Sequence, residues 1–111
     1  MEESNKQKMK RLRQAFREGV FERDGHRCVF CGSTENLDAH HITDRHSMPN
    51  DGYALSNGIT LCDSGEGHHL MAEEFHISGG KNWFPGMHPD DLYKKIGSSK
   101  ERAVLDSGKL K

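Results

Sequence analysis

Asp38-Ala39-His40-His41-Ile42, then Ser56-Asn57-Gly58-Ile59-Thr60-Leu61-Cys62, then His68-His69 are the stretches whose reading decides the fold. The runs Leu37 to Ile42 and Gly58 to Cys62 have the length and apolar content of short strands. Between them, Thr43 to Ser56 contains Pro49, Asn50-Asp51 and Gly52 and shows no periodicity, which predicts a surface loop joining the two strands. Asp63-Ser64-Gly65-Glu66-Gly67 reads as a turn. His68 or His69 then opens a helix to about His76, ended by Ser78-Gly79-Gly80.

Outward from this centre the pattern is helical. Residues 1 to 5 are polar and read as frayed. From Lys6 to Arg23, Met9, Leu12, Phe16, Val20 and Phe21 recur at spacings of three and four, and Asp24-Gly25 stops the helix. That stripe is core packing and carries no chemistry. Ser33 to Asn36 is a turn. Trp83, Phe84 and Met87 are expected to fold back over the core, since a single Trp in such a chain more often packs than functions. Pro89-Asp90-Asp91 begins a helix that Gly97 ends. Ser98-Ser99-Lys100-Glu101 has capping-box spacing and predicts a last helix to about Asp106, with Gly108 after it. The expectation is one α+β domain over residues 1–111, with a C-terminal helical tail at about 89–107.

Composition narrows the class. Only 32% of the 111 residues are hydrophobic and 30% are charged, so the core is thin and calls for a disulfide or metal staple. Three cysteines make a closed disulfide framework a poor fit, and eight histidines turn the expectation to metal. No stretch is apolar enough to span a membrane, and the charged N-terminus lacks the apolar centre of a signal peptide. A reducing, cytoplasmic setting suits free thiolates bound to zinc. The net charge of −1 argues against a simple polycation. Yet Lys6, Lys8, Lys10, Arg11, Arg13 and Arg17 form a basic run without an acid, either a solvated helix face or a phosphate-contacting arm.

Cys28-Val29-Phe30-Cys31-Gly32 is a CxxC with a glycine behind it, a spacing that lets two sulfurs face one ion while the glycine relieves the turn. Tetrahedral closure needs two more ligands, and Cys62 is the remaining thiol. The alternative is a chance CxxC, with the cysteines as buried apolar residues.

Histidine, asparagine and histidine recur in order at His41, Asn57 and His69, behind the CxxC. Over about residues 17–76 the chain thereby resembles the HNH nucleases of the ββα-metal (His-Me finger) superfamily. The resemblance implies a small metal-finger core with a structural Zn2+ knuckle and a metal-dependent endonuclease that nicks or cuts DNA, leaving 5′-phosphate and 3′-hydroxyl ends. It makes His41 the general base, a role suited to a group that titrates near neutral pH. His40, where many relatives carry Asp, and His69 become ligands of one divalent ion (Mg2+, Mn2+ or Ni2+), and Asn57 holds the loop that orients His41. Because neighbours on a strand point to opposite faces, His40 is expected to reach the ion only where the strand breaks into the loop.

Colicin-type relatives place a further ligand one helical turn on, at Glu73, an i, i+4 neighbour of His69 that reads equally as a solvated acid. His76 lies about 10 Å along the axis from His69, too far to share its ion, and reads as a helix-end or phosphate-contacting residue. Relatives with a second CxxC place its last ligand just before the final motif histidine, which makes His68 the fourth zinc ligand, with Asp63 or Glu66 as substitutes. Lys10, Arg13, Arg17 and Arg45 are the candidate phosphate contacts. His26, His46 and His88 read as surface residues. Free-standing relatives often sit in phage genomes beside packaging genes, which makes packaging machinery a partner by analogy. A zinc-stabilised DNA-binding module without cleavage, an RNA-cleaving nuclease and a purely structural zinc protein stay open as alternatives.

Overall fold

The computed structural model describes residues 2–63 and 67–111. Its elements are α1 (Asn5–Arg23), β1 (Leu37–His41), β2 (Gly58–Cys62), α2 (His68–Ile77), α3 (Pro89–Lys95) and α4 (Lys100–Gly108). This is an α+β architecture of four helices about one antiparallel strand pair.

The two strands pair in the register Leu37↔Cys62 to His41↔Gly58. Alternation then gives each face its own partner. Ala39, His41, Gly58 and Thr60 face α1, whose Leu12, Phe16 and Val20 pack with Ala39 and Tyr53. His40, Ile59 and Leu61 face the other way, where Ile59 and Leu61 join Ile42, Ala72, Met87, Leu92, Tyr93 and Ala103 in the main core.

Helix α1 begins with a capping box, Ser4 and Gln7 each serving the other's backbone N–H. Its C-terminal end is clamped to the hairpin. Arg23 donates to the carbonyls of Leu55 and Gly58, and Asp24 accepts from the Thr60 amide at 2.9 Å. The close approach depends on Gly58: a Cβ there would stand 2.5 Å from Val20 Cγ2 and 2.7 Å from the Phe16 ring.

Three sequence expectations need correction. The segment from Thr43 to Ser56 is more than a surface loop, since Met48, Gly52, Tyr53 and Ala54 are buried in it. It turns inward through successive left-handed residues at Asn50, Asp51 and Gly52 (φ +48°, +55° and +66°). At Gly52 a side chain would also meet Asn57 Nδ2 at 2.6 Å. Of the expected aromatic lid only Met87 is buried; Trp83 and Phe84 are 46% and 45% exposed, and Trp83 instead contacts the rings of His88 and Phe75. Helix α4 is capped by Ser99, one residue later than the box spacing suggests, and runs through Gly108. The Ser98 hydroxyl is used elsewhere, donating to the Ser56 carbonyl at 2.9 Å.

The C-terminal helices brace this inward-turned segment: Ser56 donates to Asp106 and Asn50 to the Ser107 carbonyl. Pro89 sits at the start of α3, capped by the His88 ring. Among the described residues no helix is long and apolar enough to cross a membrane.

Candidate metal centres and cleft

Cys28 and Cys31 lie in the turn after α1, Cys62 ends β2, and His68 opens α2; their ligand atoms all lie within 4.8 Å of one another. The Cys31 and Cys62 sulfurs are 3.7 Å apart, and His68 Nδ1 is 3.6 Å from Cys28 Sγ and 3.5 Å from Cys62 Sγ. In a tetrahedron with zinc's usual bond lengths, two sulfurs stand about 3.8 Å apart and a sulfur and a nitrogen about 3.5 Å. The four groups therefore match a Cys3His site for a metal ion such as zinc. Burial works to raise the Cys28 thiol, but the backbone N–H groups of Cys31, Phe30 and Cys62 outweigh it and favour the thiolate. Phe30 stacks on the His68 ring at 5.3 Å and covers one side of the site. The substitute ligands fall away differently: Asp63 turns to His69, and Glu66 lies outside the described residues.

The residue after His68 belongs to a second cluster. Glu73 Oε1 lies 3.1 Å from His40 Nδ1 and 3.5 Å from His69 Nε2, and the two rings are 5.3 Å apart. Placing His69 and Glu73 one turn apart on α2 gives them a common face. His40 is only 2% exposed, and among the described residues its Nε2 has no partner while its Nδ1 meets only the Glu73 carboxylate, at 3.1 Å. A buried, unsatisfied imidazole is costly unless something takes its lone pair. Two imidazoles and a carboxylate suit a divalent ion and leave coordination positions open.

The charges agree with that donor set. The imidazoles of His40 and His69 hold the Glu73 carboxyl well below the usual carboxylate range. Burial holds His40 below its ordinary value. The carboxylates of Glu73, Asp63 and Asp38 push His69 up to about 9, against the effect of its own burial. On the far side of the His69 ring, Nδ1 lies 2.7 Å from Asp63 Oδ1 and 3.2 Å from Asp38 Oδ2.

His41 occupies the opposite strand face, its ring stacked on Phe16 at 4.5 Å and beside Tyr53 at 5.2 Å. Burial, helped by His40 and Arg45, lowers its pKa to about 4, so it is a neutral base at pH 7. Both histidines nevertheless line one cleft of about 420 Å3, which wraps the outer edge of β1 between α1 and α2. His40 thus reaches it from within the strand, without the strand break expected from the sequence. Arg13, Arg17 and Arg45 line the same cleft, while Lys10 lies on a separate groove along α1 with Gln7 and Gln14. Arg17 also pairs with Asp38 at 3.7 Å.

Asn57 is fully buried and ties the loop together. Its Nδ2 donates to the carbonyls of Thr43 and Gly52, both at 3.1 Å, and its Oδ1 accepts from the Thr43 amide at 3.0 Å. The Asn57 carbonyl accepts from Ile42, which fixes the chain directly after His41.

Sequence reasoning missed Tyr93, whose hydroxyl donates to Asn57 Oδ1 at 2.7 Å and meets Thr43 Oγ1 at 2.6 Å. It also missed Asp38, although a position two before His40 on a strand shares its face. His76 stacks on His40 at 5.4 Å and donates through Nε2 to the His41 carbonyl. It therefore buttresses both histidines. No protein-family model matches the chain, and neither the curated proteins nor the solved structures compared with it contain a match.

Proposed function

We propose that the protein is a metal-dependent HNH endonuclease that hydrolyses DNA phosphodiester bonds, with Zn2+ at the Cys3His site and one divalent ion, Mg2+, Mn2+ or Ni2+, held by His40, His69 and Glu73. The observation that carries this reading is the cluster of buried His40, a second imidazole and a carboxylate, with their ligand atoms within 4.8 Å of one another, in a cleft that also holds a neutral histidine and three arginines.

When bound, such an ion supplies Lewis-acid stabilisation of charge developing on the phosphate and the leaving oxygen. The chain's own groups do the rest. His41 takes the proton of the attacking water; its Nε2 is buried, which leaves Nδ1 as the nitrogen available to the cleft. Phe16 and Tyr53 confine the ring, and the low pKa keeps it free to accept. Arg13, Arg17 and Arg45 bind and orient the phosphodiester backbone by charge-assisted hydrogen bonds. Asn57 and Tyr93 hold the strand end that carries His41.

The test is supercoiled plasmid, and separately a structured RNA, incubated with each divalent ion with and without chelator, beside His41→Ala. Wild type should nick or cut DNA. His41→Ala should lose at least about 100-fold in rate, with its fold and thiolate-bound metal intact. Binding without cleavage in every metal would make the protein a zinc-stabilised DNA-binding module; cleavage of RNA alone would move the substrate class.

A further inference from the structure

We infer that Asp63 is a positioning residue for the divalent-ion site, holding the proton of His69 on Nδ1 so that Nε2 is presented to the ion. The inference rests on the reading of His40, His69 and Glu73 as ion ligands.

A neutral imidazole carries one proton, and only its other nitrogen can ligate, so whatever accepts that proton decides which nitrogen faces the metal. In His69 the two nitrogens have distinct neighbours. Nε2 faces Glu73 at 3.5 Å, and Nδ1 donates to Asp63 Oδ1 at 2.7 Å. A carboxylate behind a metal-bound histidine fixes its tautomer and orientation and raises its basicity as a ligand. Asp38 Oδ2 is the rival acceptor, but it is farther, at 3.2 Å, and the same carboxylate also pairs with Arg17 through Oδ1 at 3.7 Å.

Backbone placement supports the assignment. Asp63 directly follows the thiolate ligand Cys62, and its own N–H donates to the Asn36 carbonyl at 2.7 Å. His69 directly follows His68. Donor and acceptor are thus each anchored one residue from the Cys3His site, and the loss of that site would disturb both at once.

The experiment is calorimetric titration of the zinc-loaded full chain with Ni2+ and with Co2+, for wild type, Asp63→Ala, Asp63→Asn, Asp38→Asn and His40→Ala. Zinc content by mass spectrometry, thermal melts and the visible Co2+ spectrum accompany it. Wild type should bind one ion beyond its zinc, and His40→Ala should not. Asp63→Ala should bind about 10- to 100-fold more weakly with an altered Co2+ spectrum, while zinc content stays at the wild-type value and the melt remains that of a folded domain. Asp63→Asn, which keeps an oxygen acceptor without the charge, should fall between.

Wild-type affinity and spectrum in Asp63→Ala, with binding still lost in His40→Ala, would overturn the inference and leave the nuclease reading standing. A larger loss in Asp38→Asn than in Asp63→Ala would overturn it too. So would a second extra ion that Asp63→Ala removes, since Asp38, Asp63 and His69 would then be ligands themselves. A wild-type protein that binds no ion beyond zinc would end both readings.

Discussion

Two clusters of potential ligands lie side by side, both drawing on the hairpin and α2, the first completed by the Cys28–Cys31 turn, and they differ in donor type and in openness. One has three sulfurs and an imidazole, mostly buried, at tetrahedral spacing, with no position left over. The other has two imidazoles and a carboxylate at the wall of a cleft, with room for water and substrate. Soft donors in a closed shell hold zinc for its own sake; harder donors in an open shell hold an ion for what it can do to something else. The lesson is that adjacent residues, Cys62 and Asp63 or His68 and His69, can face different clusters.

The sharpest way to break this contrast is to remove one sulfur. Cys28→Ser should lose zinc and unfold, because zinc binding at such sites contributes about 10–16 kcal/mol against a total stability of about 5–15 kcal/mol. Circular dichroism and metal analysis should show both losses, while His40→Ala keeps its zinc and its melt. Equal melts in the two variants would erase the distinction between scaffold and site.

Asn57→Ala comes next. It strips four hydrogen bonds from a buried residue and strands their partners, so destabilisation of about 3 kcal/mol is expected in denaturant titrations at saturating zinc. A smaller effect than about 1 kcal/mol would mean that the loop is held by α4 alone.

Protonation separates two of the histidines that line the cleft, His41 and His69. His41, lowered from 6.5 to about 4 by burial first and then by His40 and Arg45, contributes stability that is present above pH 6.5 and lost as pH falls through 4. His69, raised to about 9 by Glu73 and the two aspartates, does the reverse in the ion-free protein: its contribution is present below pH 6.5 and lost as pH rises through 9. NMR titration of the ring protons should place the midpoints on opposite sides of 6.5, and two midpoints near 6.5 would refute the assignment. Since an ion must displace the His69 proton, divalent affinity should rise with pH across the same upper window.

The smallest effect belongs to Trp83→Ala. The indole is half exposed and its ring contacts are worth about 1 kcal/mol at most. A loss of several kcal/mol in a thermal melt would show that it covers the core after all.

The parts that could be read from the sequence are those in which a short local pattern has one physical solution. Gly58 to Cys62 was legible as a strand from its length and apolar content, and all five residues are buried, while α1 follows its i, i+4 stripe through Leu12, Phe16 and Val20. The CxxC could be singled out as a candidate metal pair because ligation demands particular atoms at particular spacings, whereas His40, His68 and His69 were singled out by the resemblance; the structure gathers Cys28, Cys31, Cys62 and His68 in one cluster and His40, His69 and Glu73 in another. What stayed hidden depends on contacts that sequence spacing does not encode. Tyr93 reaches Asn57 across 36 positions, and nothing local marks it. Asn50 to Gly52 marked a surface loop in the sequence, and nothing there showed that the chain would turn inward and bury Tyr53. Trp83 was misread because its size argued for burial while its neighbours Lys81, Asn82 and Phe84 are all exposed.

The tandem arrangement of His68 and His69 has a mechanical consequence. Successive helix residues project roughly 100° apart around the axis and about 1.5 Å apart along it. With both ions seated, α2 would be pinned at two azimuths within its first turn and could neither roll nor slide. On the proposed nuclease reading, adjustment to nucleic acids of different width would then fall to the long side chains of Arg13, Arg17 and Arg45, with the metal-bearing face held fixed.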